Sequence, residues 1–143
     1  MTNVFMPIAN AIADCAATIA GVTSYVGDPG VAGVDGNPAV VISVLPVTDR
    51  GELDSDEQLG SRTWLMEYDV TILVDLDEPV SAQQLLAETC ESFIQAVDAD
   101  DQLGATSGMV IAARVVSAEP AVIAGVSRPR LAYDCVVRVK AYV

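Results

Sequence analysis

Residues 63–76 alternate strictly between apolar positions and mostly polar ones. The apolar set takes every second position and comprises Trp64, Met66, Tyr68, Val70, Ile72, Val74 and Leu76. A period of two is typical of a β-strand with one buried face, and this run is well beyond the usual strand length of roughly five or six residues. The segment therefore predicts a long strand at the centre of a sheet, which projects past its neighbours at one end.

Three other segments also predict strands. Residues 39–45, AVVISVL, form a β-branched run that is typical of a strand buried on both faces. Residues 109–119 favour a strand that bends at Pro120 and continues briefly. Residues 131–143 alternate as clearly as the central segment and indicate a second long strand.

Two segments have the spacing of amphipathic helices. In residues 4–20, apolar side chains recur at intervals of three and four, and Gly21 is suited to cap the end. In residues 81–99, Ser81 and Gln84 are spaced as a capping box. The expected buried stripe of this second helix is Leu85, Leu86, Cys90, Phe93, Ile94 and Val97.

The remaining long segments predict loops. Residues 21–38 contain five glycines and two prolines, without the Gly-Lys motif of a phosphate cradle. Residues 46–62 are acidic and join two predicted strands, so we expect a long mobile loop that a partner orders. They lack the glycine and closing glutamate of a calcium loop. The candidate partner-contact residues are Asp49, Glu52, Leu53, Asp54, Asp56 and Glu57.

The chain carries 20 acidic residues and 7 basic ones, for a net charge of −13. This balance disfavours nucleic-acid binding and anionic membranes, because both require clustered lysine and arginine. Most bases lie in residues 114–143. Either this asymmetry only serves solubility, or a basic surface meets acids of the 46–62 loop and the 98–101 corner on another subunit. The candidate subunit-interface residues are Arg114, Arg138 and Lys140.

The chain offers little material for catalysis. It contains no histidine, and its one lysine, Lys140, has no serine motif nearby. Cys15, Cys90 and Cys135 are far apart in apolar patterns, which indicates buried free thiols and a reducing compartment. We therefore expect no enzyme, no cofactor and no metal site. We also expect a soluble protein that is intracellular when synthesised, since a basic signal-peptide start and a long apolar run are both missing.

Together these segments predict a single α+β domain over residues 1–143, with the element order α-β-β-α-β-β. We expect a mainly antiparallel four-stranded sheet with both helices packed on one face. With 52% hydrophobic residues, a chain of this length has ample material for a core.

This layout resembles that of the tail terminator (tail completion) proteins of long-tailed bacteriophages. The matching features are the helix near residue 1, the strand PAVVISVL, the long hairpin loop, and TWLMEYDVTILVDL leading into SAQQLLAETCESFIQAV. The final strand DCVVRVKAYV completes the match. The resemblance covers essentially the whole chain and rests on layout and length, without a signature motif. The glycine-rich loop is longer than the family layout suggests.

The resemblance implies a structural virion protein that is assembled in the host cytoplasm. Such subunits form a homo-oligomeric ring, most often a hexamer, on the head-proximal end of the tail tube. Tail-tube and neck proteins are the implied partners, and DNA slides through without sequence-specific binding. The alternatives are a neighbouring neck (head-tail connector) or tail-tube protein, or a non-viral cytosolic protein-binding domain.

Overall fold

The computed structural model describes residues 4–27, 35–48, 54–56, 61–104, 110–121 and 130–142, and the structural statements below refer to these residues. The fold is α+β with two helices and one mixed sheet. The helices are α1 (Phe5–Ala17) and α2 (Pro79–Ala99). The strands are β1 (Thr23–Val26), β2 (Ala39–Ile42), β3 (Val47–Thr48), β4 (Asp54–Asp56), β5 (Ser61–Asp75), β6 (Val110–Ala121) and β7 (Arg130–Tyr142).

The main path of the sheet has five strands in the order β1-β2-β5-β7-β6. The β1–β2 pair is parallel and the other pairs are antiparallel. The α+β class and the two helices are confirmed. The expected four-stranded antiparallel sheet is only roughly matched, because β1 adds a parallel strand at one edge and two short strands also join β5.

Strand β5 occupies the centre of the sheet. It pairs with β7 along nearly its whole length, from Thr63 opposite Tyr142 to Asp75 opposite Arg130. On its other side it pairs with three shorter strands in succession, β2, β3 and β4. A strand that pairs with four other strands must be long, and this explains why the apolar-polar alternation of its sequence extends so far.

Strand β1 was missed in the sequence because its four residues lie inside a segment dominated by glycine and proline. Its residues TSYV have the β-branched and aromatic character of a strand. It runs parallel to β2, with about a dozen residues between the two, as a parallel connection requires. Gly36 has a φ of +115°, and a Cβ there would lie 2.9 Å from the Cβ of Thr23. Only glycine fits at position 36, because the segment between β1 and β2 passes so close to Thr23 there.

Three pieces of the predicted 46–62 loop lie in strands, namely β3, β4 and the first two residues of β5, so that part of the prediction was wrong. Val47 lies opposite Glu67, and Asp54 lies opposite Thr63. Strand β2 pairs only with residues 70–73 of β5, which leaves the edge of the N-terminal part of β5 open. Backbone groups on an open edge can pair with a polar segment, because the ladder uses main-chain atoms and not side chains.

The two helices pack with the inward-facing residues of the sheet around one apolar core. Ile8 and Ile12 of α1, Phe93 of α2 and Tyr68 of β5 are fully buried in it. The Tyr68 hydroxyl donates a 2.9 Å hydrogen bond to the carbonyl oxygen of Phe5, so its polar atom is satisfied. Neither described helix is long and apolar enough to cross a membrane.

Helix α2 begins three residues earlier than its capping pattern predicts, because the capping box would make Ser81 the N-cap. Glu78 is the N-cap and makes no side-chain capping bond, and Pro79 is the first helical residue. Proline suits that position because its missing N–H is not required there. The expected capping box was therefore wrong, and the Gln84 side chain instead donates a 3.1 Å hydrogen bond to Glu88.

Strand β6 continues past Pro120 to Ala121, as the predicted continuation requires, and it stays paired with β7 at the proline. β6 is an edge strand, where a proline removes no interior ladder bond. Its pairing with β7 has irregularities between Val110 and Ala112 and between Val115 and Ser117. Such irregularities are common on edge strands.

Candidate interaction surface

The two faces of the sheet have different surroundings. Residues of α1 and α2 share the large core with the inner face. The buried cluster on the other side, which we call the outer face, contains Ala39, Val41, Leu73 and Ala132 and no helical residue among those described. Farther along the same strands, Asp69, Arg114 and Glu119 are exposed on the outer face, so strand residues there are accessible to another molecule.

Five rows of side chains cross β5, β7 and β6 on the outer face, because residues directly opposite each other share a face. In order, they are the lysine row (Leu65, Lys140, Ala112), the arginine row (Glu67, Arg138, Arg114), the central row (Asp69, Val136, Ser117), the acidic row (Thr71, Asp134, Glu119) and the covered row (Leu73, Ala132, Ala121).

The three candidate interface bases lie together in the lysine and arginine rows, and we call Arg114, Arg138 and Lys140 the basic patch. Arg114 and Arg138 are directly opposite each other across β6 and β7. The guanidinium of Arg138 also contacts the carboxylate of Glu67 at 3.2 Å, with both side chains more than one-third exposed. Arg114 is exposed and makes no ion pair within the described part of the chain.

A shallow depression of about 450 Å³ lies over the basic patch and is bordered by the end of α2. Asp98 and Asp101 line this depression together with the three bases. The corner also contacts the edge strand directly, since the backbone N–H of Ala113 donates to the carbonyl oxygen of Asp101 at 2.6 Å. The corner acids, which we expected to meet bases of another subunit, thus lie beside the bases of their own subunit.

The acidic row and its neighbour Asp69 form the other charged part of the outer face. Asp134 lies directly opposite Glu119, and the Thr71 hydroxyl donates to Asp134 at 2.9 Å. Partial burial raises the pKa of Asp69, and the negative charges of Asp134 and Glu67 raise it further. The carboxylates are therefore close enough to repel one another.

An ion pair that the sequence analysis did not predict joins the end of β5 to the start of β7. Arg130 Nε contacts Asp75 Oδ1 at 2.9 Å, and the Arg130 side chain is only 2% exposed. Arg130 Nη2 also donates to the carbonyl oxygen of Gly36 at 2.7 Å. The predicted strand began one residue later, at Leu131, so the sequence analysis gave Arg130 no role. Aligning the two alternating strands would have placed it opposite Asp75, which is the only signal the sequence carries.

The expected partner-contact loop is only partly placed. Asp54 and Asp56 lie in β4, which pairs with β5. Asp49, Glu52, Leu53 and Glu57 lie outside the described residues. The mobility expected for this loop therefore stays a prediction.

The three cysteines are free and buried, as their apolar context predicts. The sulfur atoms of Cys90 and Cys135 are 3.8 Å apart, which joins α2 to β7 inside the core. Burial raises the pKa of all three thiols, and a thiol with a raised pKa is a poor nucleophile. Within the described ranges, no group of three acids or cysteines is placed to hold a metal ion.

A scan of protein-family models and a search of curated proteins both found no match to this chain.

Proposed function

We propose that the chain is a structural protein of a long-tailed bacteriophage, a tail terminator. It forms a homo-oligomeric ring, most often of six copies, that caps the head-proximal end of the tail tube and joins the tail to the neck. It acts in the virion after assembly in the host cytoplasm, and it is not an enzyme. The proposal rests on the layout of helices and strands described above.

The basic patch is the observation that best supports an assembling subunit. Arg138 and Lys140 lie two residues apart on β7, Arg114 lies on the neighbouring strand β6, and all three border one depression. The chain otherwise carries a large excess of acids. Glu67, Asp98 and Asp101 lie beside these bases, yet the patch gathers three of the seven basic residues of an acidic molecule, which favours contact with acidic surfaces of further copies or of partner proteins.

The ring contact is heterologous, so two different surfaces of each subunit meet. The basic patch of one subunit faces acids of the next, and the candidates include the 46–62 segment. A single exposed ion pair contributes only about 0–1 kcal/mol, so several pairs must act together with apolar contacts. Val47 and Tyr142, with exposed fractions of 63% and 50%, lie on β3 and β7 and can supply apolar area.

The negative charge of the subunit also suits a ring that surrounds moving DNA. A lumen lined with carboxylates repels phosphate, so the DNA slides without being held. The neighbouring tail-tube and neck proteins are then the lasting partners of the ring.

The direct test is to mix the purified subunit with tails that lack a terminator and to count bound copies by native mass spectrometry and electron microscopy. We expect a ring at one end of the tail. In the variant carrying Arg138→Glu and Lys140→Glu, we expect ring formation to fall at least tenfold at low salt. Glu119→Gln is the matched control, since it alters the same face without touching the basic patch.

Other outcomes would favour other functions. Incorporation along the whole tube would identify a tail-tube protein, and binding to heads alone would identify a neck protein. A subunit that binds neither particle but captures a single acidic cytosolic protein would favour a binding domain unrelated to phage. Unchanged assembly of the charge-reversed variant would reject the electrostatic contact while leaving the ring itself open.

A further inference from the structure

The ladder between β6 and β7 places like charges opposite each other twice. Arg114 faces Arg138, and Glu119 faces Asp134. Like charges directly opposite each other destabilise an antiparallel pair. Glu67 offsets the charge of Arg138, but Arg114 and Glu119 remain exposed beside a residue of the same sign. An isolated subunit gains nothing from this arrangement.

On β7 and β6, the charges on one side of the central row have the opposite sign to those on the other side. The arginine row and the acidic row lie on either side of Val136, each about 7 Å away, because a strand advances roughly 3.3 Å per residue. The residues at the centre on β7 and β6 are Val136 and Ser117, and both are uncharged. Reversing the direction of the strands therefore exchanges the positive row with the negative one.

We propose that a second copy of this chain packs against the outer face of the first, related by a two-fold axis that runs along the central row. The strands of the two copies then run in opposite directions across the contact. Arg114 faces Glu119 of the second copy, and Arg138 faces Asp134 of the second copy. Each like-charge pair within a subunit meets the opposite charge in the other subunit, so both like-charge pairs are compensated.

The two ends of the outer face also meet in this arrangement. The two-fold axis brings the covered row of one copy against the lysine row of the other. Leu73 and Ala132 in the covered row are buried within the subunit. The lysine row borders the 450 Å³ depression. The contact between charged residues is therefore concentrated in the arginine, central and acidic rows.

Two such acidic molecules also repel each other little when their outer faces meet. The lysine, arginine, central and acidic rows contain three bases and four acids, so this face is close to neutral on a chain of net charge −13. These rows and the covered row span roughly 30 Å by 14 Å of sheet. An area of this size gives a weak, salt-sensitive pair and not a permanent dimer.

Asp69 limits the strength of the pair. It continues the central row onto β5, so its carboxylate lies near Asp69 of the second copy. Replacing it with asparagine removes this repulsion. We expect Asp69→Asn to lower the dissociation constant several-fold, and an unchanged constant would overturn the placement of the axis.

The inference is independent of the proposed ring. The face-to-face pair is isologous, with the same surface on both subunits, whereas the ring contact joins two different surfaces. Arg114→Glu should weaken both contacts. Glu119→Arg should weaken only the face-to-face pair, so failure of one proposal is distinguishable from failure of the other.

The decisive experiment is a charge exchange between Arg114 and Glu119, measured by sedimentation velocity from about 5 to about 500 µM, the range suited to weak interfaces. We expect Arg114→Glu alone and Glu119→Arg alone each to raise the dissociation constant at least tenfold. The double variant should pair within about threefold of the wild type. An equimolar mixture of the two single variants should also pair, because every contact in the mixed dimer joins opposite charges.

Misfolding does not explain the expected losses. In each single variant the new side chain lies opposite a residue of the other sign, Arg138 or Asp134, so folding is favoured while pairing is lost. Loss of pairing in both single variants without recovery in the mixture would overturn the two-fold arrangement. A wild-type chain that stays monomeric at the highest concentration and low salt would overturn the pair altogether.

Discussion

The inner and outer faces of the same three strands follow different rules. On the inner face, β5 and β7 present residues such as Val70, Ile72 and Val137, all fully buried beneath two helices. On the outer face, the neighbouring positions of the same strands present like charges opposite each other. The inner face serves the stability of the single subunit. On the outer face, the like charges that lie opposite each other lower the stability of the single subunit.

The largest effect should come from the inner face. Phe93 is fully buried between α2 and the sheet, so Phe93→Ala leaves a cavity and should lower the free energy of unfolding by about 3–5 kcal/mol. Chemical denaturation monitored by circular dichroism measures this change. Val80→Ala, on the exposed start of the same helix, is the control and should cost no more than about 0.5 kcal/mol. A loss below about 1 kcal/mol at Phe93 would contradict the packed inner face.

Substitution of Arg130 tests whether a charged residue can stabilise the single subunit instead of binding another molecule. Its side chain is buried against Asp75 and Gly36, so Arg130→Met should leave the Asp75 carboxylate without this partner and cost about 2–4 kcal/mol. Arg130→Lys keeps the charge but not the forked geometry, and it should cost less. Urea titration of both variants gives the comparison. Equal stability of wild type and Arg130→Met would show that the ion pair is replaceable.

On the outer face, we expect a substitution to raise the stability of the monomer instead of lowering it. Glu119→Lys converts a like-charge pair with Asp134 into an attractive pair, so it should raise the stability of the monomer by about 0.2–1 kcal/mol. Glu119→Gln only removes the repulsion, so its stability should lie between that of the wild type and that of Glu119→Lys. Thermal unfolding at low protein concentration measures the effect, and added salt should reduce it. A destabilised lysine variant would mean that Glu119 has a favourable role within the subunit.

The smallest effect concerns pH. Because the folded-state pKa of Asp69 is raised by partial burial and by the neighbouring carboxylates, its contribution to stability is fully present at low pH. That contribution is lost as the pH rises through the folded-state pKa. Asp69→Asn should therefore stabilise the monomer at pH 7, by about 0.5 kcal/mol or less for so exposed a group, and change nothing near pH 3. Urea titrations at both pH values test this difference.

The sequence predicted those elements whose periodicity is long. The alternation of β5 and β7 and the helical spacing of α1 and α2 each extend over more than ten residues, so a missed position does not hide them. The short strands β1, β3 and β4 were missed for a physical reason. Two to four residues show no period, and these strands form because β2 and β5 offer unpaired backbone groups, not because their side chains require it.

The candidate surface was predicted less completely than the fold. Placing Arg114, Arg138 and Lys140 in strands was sufficient to expect that their positions are fixed, and the structure brings them together. That Arg114 lies opposite Arg138 could not be predicted, because the irregularities of β6 shift its register. The same register places the acidic corner of α2 beside the basic patch instead of leaving it free for a neighbour.

The strand order has a consequence for how the chain folds during synthesis. β7 follows β6 in the sequence, yet it lies between β5 and β6 in the sheet. Asp75 and Arg130, which pair at the end of β5 and the start of β7, are 55 residues apart. Until β7 has left the ribosome, the longest strand therefore has one edge without a partner. An unpaired edge of this length invites aggregation, so docking of the β6–β7 hairpin onto β5 is the step at which a nascent chain is most dependent on chaperones.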